Sequence, residues 1–431
     1  MADTAAHLVD RVLPRVPVRQ WVLSLPFGLR YRLAHDRELT ATVLRVLVRA
    51  IFASLRRRSR AERSTAAHGG TVTFVQRFGG ALNLNVHFHT LALDGVYRTP
   101  GEDRTLRFHP TPPPSAEELE GVLNRVVRGI ARAIARRGLG DEPDRLFEDD
   151  PLLAQLLAGA VQGRVATGPR AGQKVLRFGD RIEFEAAGSG ATEETPGLAR
   201  RHGFSLHAGV AVPANDRQRL ERLCRYVGRP PVATERLSES ADGRLVYELR
   251  HRWRDGTTRV VFEPLELIDR LAALVPPPRF HTVRYHGVLA SRSKHRAEVV
   301  PDGGERAQQS SCVAAVCVPA SSSPPEGPDD VDGALDATRT SRPSRYYSWS
   351  ELMRRVFKID VLQCPRCKST PMRILAAIHP PTATQAILKS LGLPARAPPI
   401  APARPVFAAW TLSEPSASFR YISNYARRCV A

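Results

Sequence analysis

Hydrophobic residues along this chain repeat at two different periods, and the changes of period mark its elements. Leu8, Val9, Val12 and Leu13 share one side of an amphipathic helix over residues 4–13, which Pro14 ends. Residues 21–26, from Trp21 to Pro26, read as a strand. Over 36–57 the spacing is helical again, with Leu44, Leu47, Val48, Ile51 and Leu55 as the apolar stripe. The basic run Arg56-Arg57-Arg58-Ser59-Arg60 that follows reads first as a solvated end and second as a phosphate contact. Residues 71–78 and 86–93 alternate as two strands around Gly79-Gly80. Ser115 and Glu118 make the capping pair of another helix, whose core face runs Leu119, Val122, Leu123, Val126, Val127, Ile130 and Ile134. Residues 244–263 read as a hairpin about Asp255-Gly256, and 264–274 as a helix stopped by Pro276-Pro277-Pro278.

Strands mixed with amphipathic helices predict an α+β catalytic domain over 17–235. A short helical segment (1–16) precedes it, and a hairpin–helix extension (236–299) follows. Residues 300–345 are rich in Ser, Pro, Gly and Asp and predict a disordered linker. Patterning returns in a small module over 346–393, and 394–431 reads as a loosely ordered tail.

Composition narrows the function. The chain has 431 residues and a formal net charge of +20. That surplus suits a polyanionic partner, most simply nucleic acid. Only five of its 63 basic residues are lysine. A GC-rich genome explains arginine over lysine better than it explains base over acid. Six cysteines (Cys224, Cys312, Cys317, Cys364, Cys367 and Cys429) make no disulfide framework in a chain this long. No apolar leader segment and no uncharged run of about 18 apolar residues is present. A cytoplasmic protein without membrane contact is expected.

The densest chemistry lies in Asn83-Leu84-Asn85-Val86-His87-Phe88-His89. On a strand, His87 and His89 project from one face and Phe88 from the other. Two imidazoles side by side on a rigid strand supply most of a divalent-metal site. Many His-x-His pairs bind nothing, so a third ligand and a nucleophile are needed. His207 and Glu221 are candidates for the ligand, with Gln76 behind them. For the nucleophile, Glu221-Arg222-Leu223-Cys224-Arg225-Tyr226 reads as a helix capped by Asp216, with Tyr226 among arginines that suit a phosphate. The plain alternative is a helix with one interfacial tyrosine. Tyr285, between Arg284 and His286, is the rival, although its surroundings read as a turn. Cys364-Pro365-Arg366-Cys367 is half of a zinc knuckle, to which His379 could add a third ligand; two ordinary thiols are the alternative. Residues 168–174 lack the Gly-Lys-Ser/Thr order of a phosphate loop.

The order His-hydrophobe-His, then a tyrosine on a basic helix, resembles the HUH single-strand endonucleases. Four stretches resemble the rolling-circle transposases of the insertion-sequence-91 group more closely. They are Arg77 to His89; Glu221 to Tyr226 with Arg229-Pro230-Pro231; Trp253 to Thr258 through Phe262 to Leu267; and Pro276 to His281 with Arg284-Tyr285-His286-Gly287. Residues 361–367, Val361 to Cys367, match that group's C-terminal piece.

This resemblance implies a five-stranded antiparallel sheet with flanking helices. It implies Mg²⁺ or Mn²⁺ on His87, His89 and a third ligand such as His207. Tyr226 would then nick single-stranded DNA and hold it as a 5′-phosphotyrosine, with Arg77, Arg225 and Arg229 toward the DNA. Related chains with two tyrosines carry them four apart; Arg222 stands four before Tyr226, which implies the single-tyrosine subgroup and either reuse of Tyr226 or self-association. The resemblance would place a cysteine-rich zinc segment ahead of this sequence, and no cysteine precedes Cys224; either a late-called start or a truncated copy is expected. The rival readings are another HUH nickase, a replication initiator or relaxase, and a truncated copy that only binds DNA.

Overall fold

A computed structural model describes residues 1–59, 67–99, 105–139, 145–179, 196–253, 255–301, 347–364, 367–368, 372, 381–390 and 392. In chain order the first elements are α1 (Ala2–Arg11), β1 (Val18–Ser24), α2 (Phe27–His35), α3 (Arg37–Arg58), β2 (Gly70–Phe78), β3 (Leu84–Leu93), β4 (Gly95–Arg98), β5 (Arg107–Pro110), α4 (Ala116–Arg136), α5 (Arg145–Asp149) and α6 (Pro151–Gln162). Next come β6 (Leu176–Gly179), β7 (Leu198–Arg201), β8 (Phe204–Val212), α7 (Arg217–Val227), β9 (Leu237–Glu239), β10 (Leu245–Glu248), β11 (Thr257–Phe262), α8 (Pro264–Leu274), β12 (Val283–Gly287), α9 (Arg296–Val299), α10 (Trp349–Phe357) and α11 (Pro381–Ser390). The predicted 300–345 linker and 394–431 tail lie, save residues 300 and 301, outside the described residues, as does His379.

The sheet that organises the molecule runs β12-β2-β3-β1-β8-β7, antiparallel at every pairing. This is an α+β fold, with six strands in the main sheet among the described residues rather than five. The added edge strand, β12, follows the three prolines, where the sequence reads as a turn. It is short and only half-buried, so its alternation is weak. The 244–263 hairpin forms as β10 and β11 and joins a second sheet, β6-β11-β10-β9.

Strand alternation gives the main sheet two different faces. Trp21, Leu23, Phe88, Leu206 and Ala208 point to one face, into a core built with α2, α3, α4 and α6. Val18, Val72, Leu91, Leu93, Val210 and Val212 point to the other, toward α1 and α7. Caps set the helices that close these layers. Asp36 accepts from the Glu38 and Leu39 amides to start α3, Ser115 from Glu118 to start α4, and Asp216 from Arg219 to start α7. The basic end of α3 is not wholly solvated. The Arg58 side chain is largely shielded, 3.8 Å from Asp94 and bonded to Ser54 and Thr111, so it ties the helix end to the strand below. At Gly95 a Cβ would stand 2.3 Å from the His109 carbonyl oxygen, which explains a glycine where β4 meets β5.

Candidate active site

β3 is central, and all ten of its residues are buried, so its side chains are fixed by neighbours on both sides. Phe88 enters the apolar core under α3 and α4. His87 and His89 point the other way, their ring centroids 4.9 Å apart. Gln76 on β2 and Ser24 on β1 lie opposite His87. Val22 lies opposite His89, and His207 on β8 lies opposite Val22. His207 is thus on the same face, two strands from His89. A register shift between Gln20 and Val22 sets that position, and Gly209 leaves room for it: a Cβ there would approach His207 Nε2 to 3.0 Å.

The polar face is dry. Burial pushes the His87 imidazole down to about 4; Arg229 and Arg30 add to the shift, and its bond to the Asn85 carbonyl opposes it. Burial also pulls His89 well below its ordinary value, helped by His87, Arg229 and His207. His207 is lowered to about 4 by burial. Neutral imidazole is the form that accepts a metal.

The hydrogen bond of His87 suits that use. His87 Nδ1 lies 2.7 Å from the Asn85 carbonyl oxygen, so it donates and leaves the Nε2 lone pair open. His89 Nδ1 lies 2.7 Å from the Gln20 amide, and His89 Nε2 is buried with no hydrogen-bond partner. As placed, Gln20 Nε2–H donates to His89 Nδ1 and the ring proton sits on Nε2; turning the amide over would let its oxygen accept from Nδ1–H and open the Nε2 lone pair. Gln76 Nε2 donates to the Val227 carbonyl at 2.6 Å, while Gln76 Oε1 is buried and unpaired. Orphaned buried polar atoms are costly and call for a partner. Among the described residues, no group of three His, Cys, Asp or Glu side chains is close enough to hold an ion. Gln76 is outside that class of donors, and its free oxygen stands opposite His87.

Helix α7 closes the site from above. Leu220, Leu223, Cys224 and Val227 bury its inner face, and the bond from Gln76 fixes its last turn. Tyr226 is thereby held edge-on to His89, with ring centroids 6.0 Å apart and planes at 83°. The Arg229 guanidinium lies over the Tyr226 ring at 4.2 Å and over Phe78 at 5.6 Å. Arg250 is within electrostatic reach of both Tyr226 and Arg229.

Other candidates fall elsewhere. Glu221 is on the opposite flank of α7, accepting from Arg355 Nε at 2.6 Å. Tyr285 shares the face but pairs with Val72 on the far side of β2, and burial raises its phenol. Arg77 is turned inward. It donates to the carbonyls of Ala34, Ala273 and Leu274 and so caps the ends of α2 and α8, with no N–H aimed at solvent. Arg225 lines a cleft on the outer flank of α7. Cys364 and Cys367 form no disulfide and join no metal cluster among the described residues. Gln20, Arg30 and Arg250 were not legible beforehand; no local pattern marks them, and only the sheet register and the packing of α2 and β10 bring them in.

Residues 70–297, more than half of the chain, match the family described as "Putative transposase". No curated protein and no solved structure matches the chain. No helix among the described residues is long and apolar enough to cross a membrane. The matched segment contains β2, β3, β8, α7 and β12, and with them both histidines of the pair, His207, Tyr226 and Tyr285; on that match, this chain belongs to the transposase family.

Proposed function

We propose that this transposase nicks and rejoins single-stranded DNA through Tyr226, in transposition of the rolling-circle kind, as an HUH enzyme of the insertion-sequence-91 type. The observation that carries this reading is the meeting of Tyr226 with His89 at 6.0 Å under the Arg229 guanidinium, a nucleophile, a dry metal-ligating pair and a phosphate-binding cation in one place.

Tyr226 Oη attacks the phosphorus of one phosphodiester. An Oη–P bond forms and the P–O3′ bond breaks; the phenol proton passes to water and the departing 3′-oxygen takes one up. A 5′-phosphotyrosine and a 3′-hydroxyl result. The new ester keeps the energy of the old one, so attack by a 3′-hydroxyl reverses the step and joins strands without ATP. Arg229 meets the phosphate charge beside the ring. Gln76 and the buried side of α7 keep the phenol in register with the histidines. His87, His89 and the Gln76 oxygen would hold Mg²⁺ or Mn²⁺. Such an ion, bound by neutral donors, would polarise the phosphate and offset the charge that develops on it. With Arg222 four residues before Tyr226, the helix offers one tyrosine, so two cleavages need its reuse or a second copy.

A labelled single strand spanning an element end, incubated with the protein and Mn²⁺ and run on a denaturing gel, tests this. A covalent adduct is expected from the wild type and from Tyr285→Phe, and none from Tyr226→Phe. An undiminished adduct in Tyr226→Phe overturns the assignment.

A further inference from the structure

On the flank of α7 turned away from the histidines, a cleft of about 640 Å³ opens between α1, α7 and α10. Its carboxylates are already engaged. Arg355 of α10 bonds Asp10 of α1 at 2.5 and 2.9 Å and Glu221 of α7 at 2.6 Å, and the Tyr347 hydroxyl donates to Asp10 at 2.6 Å. Burial raises the Asp10 carboxyl, but the bonds from Arg355 and Tyr347 outweigh it and hold the group below its ordinary value. Arg217 is also engaged, by the Val9, Leu13 and Pro14 carbonyls at the end of α1.

Four cations remain along the cleft: Arg15 from the α1–β1 connection, Arg222 and Arg225 from α7, and Lys358 just beyond α10. None has a carboxylate partner among the described residues, and all but Arg225 are exposed. Three separate elements thus direct unpaired positive charge into one concave space. Charge of one sign in a cleft focuses the field on a polyanion. Arg222 lies one helical turn before Tyr226, so α7 itself links the cleft to the nucleophile on its other flank.

We infer that this cleft binds the phosphate backbone of a DNA single strand, and that docking of α10 through Arg355 completes it by bringing in Lys358. The inference requires DNA as the ligand but not the tyrosine chemistry, so the two can fail separately.

The test is fluorescence anisotropy of a labelled oligothymidylate, titrated with full-length Tyr226→Phe protein in EDTA at several salt concentrations. In that background Arg222→Ala/Arg225→Ala/Lys358→Ala removes up to three phosphate contacts. The slope of log K against log salt is then expected to fall by about 2, and affinity by about a hundredfold at 0.1 M salt. Arg45→Ala/Arg49→Ala, on the exposed side of α3 under the opposite face of the sheet, is expected to leave the slope unchanged. Arg355→Met is expected to lower the slope as much as Lys358→Ala does, with no further loss when the two are combined. An unchanged slope in the triple variant, an equal loss per charge in the α3 control, or an equal loss on duplex DNA overturns the single-strand site. Additive losses for Arg355→Met and Lys358→Ala overturn the role of α10 docking.

Discussion

The same strands present two faces of opposite character. Under α3 and α4 the main sheet is apolar from Trp21 through Phe88 to Leu206. Under α1 and α7 it begins in the same way, with Val18, Leu91, Leu93 and Val212, and then turns polar: Gln20, Gln76, His87, His89 and His207 are all buried there. The first face gains stability from area removed from water. The second leaves His89 Nε2 and Gln76 Oε1 without partners in a dry space. A protein retains such atoms at a cost of about 1–3 kcal/mol each. Adjacent residues on β3 therefore serve opposite ends, Phe88 holding the fold and its two neighbours the chemistry.

Substitutions along β3 separate the two roles. His87→Ala with His89→Ala is expected to lower adduct formation on the order of a thousandfold or more. Its melting temperature in EDTA should fall as well, because the bonds to the Asn85 carbonyl and the Gln20 amide go with the imidazoles, so the metal response and not the melt isolates the site. Mn²⁺ should stabilise the wild type, by about 2.7 kcal/mol at one hundred times its Kd, and leave this variant unmoved. Equal stabilisation of both proteins would place the ion elsewhere. Phe88→Ala reverses the pattern. A buried Phe-to-Ala change costs about 4 kcal/mol, read from denaturant midpoints at constant slope. Adduct formation by the fraction that remains folded should be nearly normal, and a thousandfold loss there would mean that the faces are not separable.

Arg77 extends the comparison to a residue that sequence places with the DNA contacts. Arg77→Ala leaves the ends of α2 and α8 without their donor, and a destabilisation of about 3 kcal/mol is expected. The salt slope of single-strand binding should not change. A slope smaller by about 0.7 would show that Arg77 reaches phosphate after all.

What could be read in advance follows physical lines. Alternation at His87, Phe88 and His89 was visible because a strand turns successive side chains to opposite faces and only one of these faces is polar. Asp216, Ser115 and the apolar stripes of α3, α4 and α7 were visible because caps and helical faces are local. Arg77 was misleading for the same reason: composition marks an arginine as basic, and only tertiary packing tells whether it meets a phosphate or three carbonyls. The sixth strand, the Gln20 and Gln76 amides and the Arg355 clamp depend on contacts between residues 69 to 345 positions apart, which no local pattern encodes. His207 is intermediate. Its residue type drew attention, but its place beside Val22 depends on the register shift between β1 and β8.

The smallest expected effect is also the one that reads the polar face without DNA. His87 and His207 titrate near 4 in the folded protein, against about 6.5 when unfolded. Above pH 6.5 both states hold neutral imidazole, and the full stability is present. As pH falls below 6.5 the unfolded chain takes up protons that the native face refuses, so stability declines and continues to decline until pH reaches about 4. Between about pH 7 and 5.5 the loss is about 1 kcal/mol for each such histidine. Thermal melts in EDTA should therefore drop across that range, and His207→Asn should flatten the drop by about one histidine's share. Phe88→Leu, on the apolar face, should shift the whole curve downward without changing its slope, since it adds and removes no proton. If the two variants move the pH curve alike, the histidines are hydrated in solution, and the contrast between a dry polar face and a dry apolar one fails with them.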